Sequence, residues 1–197
     1  MSFNHKNSRL RQQIAQATAR VLMANSTLSP ERARRKAAIQ MGVTNQKQWP
    51  NRAEVFAALT LEQRLFSPQQ PIVLYRLRTQ ALAAMRHFIE FNPHLIGSVL
   101  DGTANDKSCV RLYLFADLPD QILLKLLDDG IPWEQHEQFL SYADGSRQSH
   151  PLFRFVAGET NIELIVLSPK AYYKPPLDAL CEHPERGANI KQVEQLL

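Results

Sequence analysis

Residues 96–117 read IGSVLDGTANDKSCVRLYLFAD, and the reading of this stretch decides the fold. Leu95 to Leu100 is short and apolar, which predicts a strand. Gly102-Thr103-Ala104 predicts a loop. Val110 to Phe115 alternates, with Val110, Leu112 and Leu114 in one phase, the pattern of a strand with one face in a core. Asp117 and Pro119 then open an amphipathic helix that runs to Asp129 and closes at Gly130.

Toward the carboxy terminus, Trp133–Tyr142 and His150–Val156 flank Asp144-Gly145, a hairpin turn. Gly158-Glu159 predicts a second turn and Asn161–Leu167 a last strand. A Pro-rich tail up to Pro184 leads to a helix over Ala188–Leu197. Toward the amino terminus, Ile72–Glu90 predicts a helix with Leu74, Leu77, Ala81, Leu82, Met85 and Phe88 on one broad face. Pro68 and Pro71 make Ser67–Pro71 a linker. Before it lie a helix over Arg9–Ala24, a second capped by Ser29 with Pro30 in its first turn and stopped at Gly42, and a third over Arg52–Phe66 capped by Asn51. The expected class is α+β: a mixed sheet with helices on one side over residues 72–197, preceded by a helical region over residues 1–66.

Charge divides the chain in the same way. Net charge is +4 overall, but residues 1–90 carry 14 Lys+Arg against 4 Asp+Glu, and residues 91–197 carry 9 against 15. A basic half of this kind fits RNA, DNA or an acidic protein. Arg32, Arg34, Arg35 and Lys36 form its densest run and are the candidate nucleic-acid contacts; no interleaved aromatics accompany them. Cys109 and Cys181 show no zinc spacing and make no disulfide framework, which points to a reducing compartment. The polar first ten residues lack the apolar core of a signal peptide. No stretch approaches the ~18 apolar residues that span a membrane. The expectation is a cytoplasmic protein with no membrane association.

Around Gly97-Ser98, Gly102-Thr103-Ala104 and Ser108 the chain resembles the DNA polymerase β-like nucleotidyltransferase superfamily. There, a short strand ends in Gly-Ser, a glycine-containing loop and a serine follow, and the next strand begins Asp-x-Asp. The resemblance implies a nucleotidyltransferase-like fold in residues 72–197, with nucleotide phosphates held by Gly97, Ser98, Gly102, Thr103 and Ser108. It implies a third acid on a later strand, at Glu163. Acids two apart on a strand point the same way and hold Mg²⁺ together. Here those two positions are Cys109 and Arg111. One carboxylate is a poor cage for two divalent ions, whereas a guanidinium binds phosphate directly.

The chain also resembles a group of bacterial nucleotidyltransferase-like proteins, some labelled UDP-N-acetylmuramate–alanine ligase. That likeness rests on Arg34–Ala38, Met41–Val43, Asn51–Val55 and Leu112–Asp117. No GxxxxGK[ST] loop supports the ligase label.

Three functions stay open at this point. One is a pseudoenzyme that binds a nucleotide or phosphate through Gly97, Ser98, Thr103, Ser108 and Arg111 and serves regulation or docking, with no metal. Another is an active Mg²⁺-dependent nucleotidyltransferase that uses a nucleoside triphosphate, with Glu163 joined by Asp101 or Asp117. The last is a nucleic-acid-binding or protein-interaction module for which the fold is only a scaffold.

Overall fold

The structure, a computed structural model, describes residues 2–25, 28–178, 180 and 183–197. Contacts divide the chain into two compact units. The first runs to Pro71 and includes Asn105–Lys107; the second comprises Ile72–Ala104 and Ser108–Leu197.

The first unit is built from α1 (Ser2–Ala24), α2 (Pro30–Gln40) and α3 (Arg52–Phe66). α2 begins where Ser29 accepts a hydrogen bond from the Arg32 amide. α3 begins at a reciprocal capping box between Asn51 and Glu54, which satisfies two amides that a helix start otherwise leaves unpaired. α1 reaches seven residues further toward the amino terminus than its apolar spacing predicts. Ile14, Ala37, Ala38 and Val43 form the core of the unit, with Trp49 packed against them. The small alanines let α1 and α2 approach closely, and the Trp49 indole N–H donates to Val43 O at 3.1 Å.

The second unit is a five-stranded sheet with helices. Its elements are α4 (Gln70–His87), β1 (His94–Ile96), α5 (Ser98–Asp101), β2 (Val110–Phe115), α6 (Asp120–Asp128), β3 (Glu134–Ser141), β4 (Arg147–Ala157), β5 (Thr160–Leu167) and α7 (Ile190–Glu194). The strand order is β1-β2-β5-β4-β3. β2 and β5 run parallel, and every other neighbouring pair is antiparallel. The class is therefore α+β with a mixed sheet.

One correction concerns the opening strand. Only residues up to Ile96 extend. Gly97 takes φ 72°, ψ −155°, a region essentially confined to glycine, and turns the chain so that Ser98–Asp101 forms one helical turn. Val99 and Leu100 are apolar because that turn packs inward, not because the strand continues. The helix expected over Ile72–Glu90 likewise ends at His87, and a 3-10 turn over Ile89–Phe91 carries the chain into β1. α7 covers only the middle of the helix expected over Ala188–Leu197.

Alternation along the strands separates two faces. Leu95, Leu112, Leu114, Ile162, Leu164, Val166, Phe153 and Phe155 point to the face covered by α4, α6 and α7. Ile96, Tyr113, Ile165, Leu167 and Leu152 point to the other, where Ala171 of the 3-10 turn Pro169–Tyr172 covers them. The tail also serves the sheet edge. Leu95 and Ala188 exchange two backbone hydrogen bonds of 2.8 Å, which extends pairing beyond β1. No described helix is long and apolar enough to cross a membrane.

Candidate functional site

Strand register brings the site together. Arg111 of β2 lies opposite Glu163 of β5, and Glu163 lies opposite Arg154 of β4. All three belong to the face away from the helices. The Glu163 carboxylate is nearly buried and meets a guanidinium at each oxygen. Arg154 Nη2 donates to Oε1 at 2.7 Å and its Nε to the same oxygen at 3.2 Å. Arg111 Nε lies 2.9 Å from Oε2 with its N–H not aimed at that oxygen, so this contact is an ion pair without a directed hydrogen bond. The bond to Glu163 holds the Arg154 guanidinium above its usual pKa. Glu134 of β3 lies opposite Arg154 in register and also acts on it electrostatically, so the rung across β2, β5, β4 and β3 carries two arginines and two glutamates.

Arg111 Nη2 also donates to Gln138 Oε1 of β3 at 3.2 Å. In a flat sheet, three strand spacings would separate these residues by roughly 14 Å across the strands alone. Two long side chains close that gap and tie β2 to β3 over β5 and β4. Arg111 is one-third exposed and Arg154 nearly half exposed, so each presents part of its guanidinium to solvent.

The residues predicted to hold phosphate do not all converge. Gly97 does: a Cβ there would lie 3.8 Å from Arg111 Cδ. Ser98, half-buried, opens α5 directly behind it. Gly102 caps the other end of α5, on the side of Arg78 and Leu74 of α4. Thr103 is buried, and its amide donates to Ser98 O at 2.9 Å, so it shapes the turn. Ser108 is half-buried just before β2. Cys109 is half-buried beside the ion cluster. Burial pushes its thiol pKa up and Glu163 adds to this, against the pull of Arg154 and Arg111. Cys181 lies outside the described residues.

The acids of the metal-dependent reading lie outside β2 and β5. Asp101 is exposed at the last residue of α5. Asp117 lies beyond the end of β2, more than about 13 Å along the strand from the Arg111–Glu163 rung. Among the described residues no group of three His, Cys, Asp or Glu side chains is placed to hold a metal ion. A unit cation about 4 Å from another costs roughly 4 kcal/mol at an effective dielectric near 20, and Mg²⁺ carries two charges.

Sequence reasoning missed three residues. Arg154 is in phase with Leu152 and Val156 while Phe153 and Phe155 take the opposite face, so an inward charge on that strand was detectable. Gln138 carried no comparable signal. Arg78 of α4 supports the site from behind. Its Nε donates to Val99 O at 3.2 Å, Nη2 to Leu100 O at 3.3 Å and Nη1 to Leu196 O at 2.9 Å. One guanidinium thus satisfies carbonyls that the short α5 leaves unpaired.

In the first unit the basic run is divided. Arg34 turns inward, donating to Pro50 O at 3.1 Å and lying 6.0 Å over the Trp49 ring. It is a packing residue, because its guanidinium is committed to the α2–α3 connection. Arg32, Arg35 and Lys36 are exposed on one face of α2 at helical spacing.

Comparison with known proteins finds no matching family model, no similar curated protein and no similar solved structure.

Proposed function

We propose that the chain is a degenerate nucleotidyltransferase-like protein that binds the phosphates of a nucleotide without a metal and uses that binding for regulation or docking. The observation that supports this reading most directly is the occupation of both Glu163 oxygens by Arg111 and Arg154. The one acid at the expected place is already neutralised, and the exposed parts of both arginines remain for an anion. Arginine suits this role because its planar fork matches phosphate oxygens in pairs. Gly97 keeps the backbone beside Arg111 free of a side chain.

The test is thermal unfolding with each nucleoside triphosphate and with pyrophosphate, in Mg²⁺ and in EDTA. A ligand at 100 times its dissociation constant adds about 2.7 kcal/mol, a rise of roughly 5–10 °C for a chain of this size. The expected rise persists in EDTA and disappears in Arg111→Ala. A rise seen only with Mg²⁺ would favour the active transferase, and no rise with any ligand removes the phosphate-binding reading.

A second reading, nucleic-acid binding by the first unit, is supported by Arg32, Arg35 and Lys36, which have no ion-pair partner among the described residues. Reversing all three to Glu is expected to abolish a salt-sensitive component of duplex DNA binding. Duplex binding that is absent, or unchanged by the reversal, contradicts it.

A further inference from the structure

After β5 the chain makes a tight turn that displays two tyrosines. Pro169 opens a 3-10 turn over Pro169–Tyr172. The Ala171 amide donates to Ser168 O at 2.9 Å, and the Tyr173 and Lys174 amides both donate to Lys170 O at 3.1 and 3.3 Å. Ala171 is buried and anchors the turn to the sheet. Tyr173 is 78% exposed and Tyr172 40% exposed. Tyr172 packs edge-on against Phe115 at 5.8 Å and His94 at 5.6 Å, and Tyr173 stands perpendicular to Tyr172 at 5.4 Å. The brace itself is fixed. His94 is buried, its Nδ1 lies 2.9 Å from Asn92 O, and burial lowers its pKa, so the ring that supports Tyr172 is neutral at pH 7.

Lys170 and Lys174 flank the tyrosines, one helical turn apart. Both are exposed, and neither forms an ion pair closer than 4.0 Å among the described residues; Lys174 interacts electrostatically with Asp144. A large aromatic with its face open to water gains nothing for folding at that face, and two exposed lysines of like charge beside it repel one another. Together they complement a ligand with flat apolar rings and regularly spaced negative charge. Bases stack on aromatic side chains without regard to sequence, and lysines hold phosphates. Duplex bases are already stacked and offer no open face.

We propose that Lys170, Tyr172, Tyr173 and Lys174 form a binding surface for single-stranded nucleic acid. One base stacks on Tyr173, and Lys170 and Lys174 hold the neighbouring phosphates. The surface shares no residue with the Arg111–Glu163 cluster and does not depend on the function proposed for it.

The experiment is fluorescence anisotropy of the full chain with labelled 12-nucleotide oligo(U), oligo(dT) and a 12-base-pair duplex. Both single strands are expected to bind alike, and at least tenfold more tightly than the duplex. Tyr173→Ala is expected to lose about tenfold in affinity, and Tyr173→Phe, which still stacks, to retain it. The log–log salt slope should be about −1.4 for two phosphate contacts and fall by about 0.7 in Lys174→Gln. Melting temperatures matched to the parent protein show that these surface variants are folded. The proposal is overturned by absence of single-strand binding, by equal binding of the duplex, or by a tenfold preference for either sugar. It is also overturned if Tyr173→Ala binds normally while the Glu reversal of Arg32, Arg35 and Lys36 abolishes binding, or if polyglutamate binds in a Tyr173-dependent way.

Discussion

Glu163→Gln is expected to bind pyrophosphate about tenfold more tightly than the parent protein, a gain of about 1.4 kcal/mol, and to melt at a lower temperature when no anion is present. The reasoning begins with what the glutamate does. It lies between two guanidiniums, at 2.9 Å from one and 2.7 Å from the other. A glutamine of the same shape removes the charge and leaves two cations facing each other. Breaking a fully buried pair costs about 3–5 kcal/mol. Arg111 and Arg154 reach solvent, so screening reduces the loss to about 1–3 kcal/mol. A phosphate oxyanion that enters the cluster replaces the missing charge, and the stability lost in buffer returns as binding energy. Isothermal titration with pyrophosphate in EDTA, paired with melting curves, measures both halves. The active-transferase reading requires the opposite sign: loss of the last metal-facing acid would weaken Mg²⁺-dependent binding. Weaker binding in Glu163→Gln therefore contradicts the anion-clamp reading.

Gly187→Ala is expected to cost the second unit about 3–4 kcal/mol, close to a 10 °C fall in melting temperature. Gly187 has φ +72°, and a Cβ there would sit 2.6 Å from Leu95 O and 2.8 Å from Ile96 Cγ2. The left-handed backbone alone penalises alanine by roughly 1–2 kcal/mol. The contact with a carbonyl oxygen inside a hydrogen-bonded bridge cannot be relieved by rotating a side chain. The tail must move away, and the two bonds between Leu95 and Ala188 go with it, at about 1 kcal/mol each. Hydrogen exchange localises the effect: the Leu95 amide should exchange much faster, while amides in the middle of β5 keep their ranking. A melting temperature within 2 °C of the parent protein, or an unchanged Leu95 amide, would falsify this account of the edge.

Much of the fold was legible because local chemistry and tertiary structure agree. The alternation of Val110, Leu112 and Leu114 marks β2, and Asn51 marks the start of α3, because strand faces and helix caps are decided within a few residues. α5 was not legible for a related reason. Val99 and Leu100 are two apolar residues after an apolar strand, and a window that short does not separate a strand from one helical turn. The deciding event was the backbone of Gly97, which a list of side chains does not record. The site divides similarly. Arg111 and Glu163 stood out individually, as a departure from a motif and as an inward acid. Their meeting depends on the parallel register of two strands about fifty residues apart, and Arg154 enters through a third. Arg34 misled because it sits in a basic run, and only the return of the chain at Trp49-Pro50 shows why its guanidinium is engaged.

The bridge between Leu95 and Ala188 has a consequence for how the protein is made. On the ribosome, β1 emerges long before the residue that covers its edge. At 5–20 residues per second the edge stays open for roughly 5–20 s. For roughly the first two-thirds of that interval β2 also lacks β5, its parallel neighbour, so two adjacent strands wait together with unpaired backbone groups, a template for pairing with other chains. Slower translation through the segment before Ala188 lengthens that exposure, and a chaperone that holds the nascent sheet shortens it.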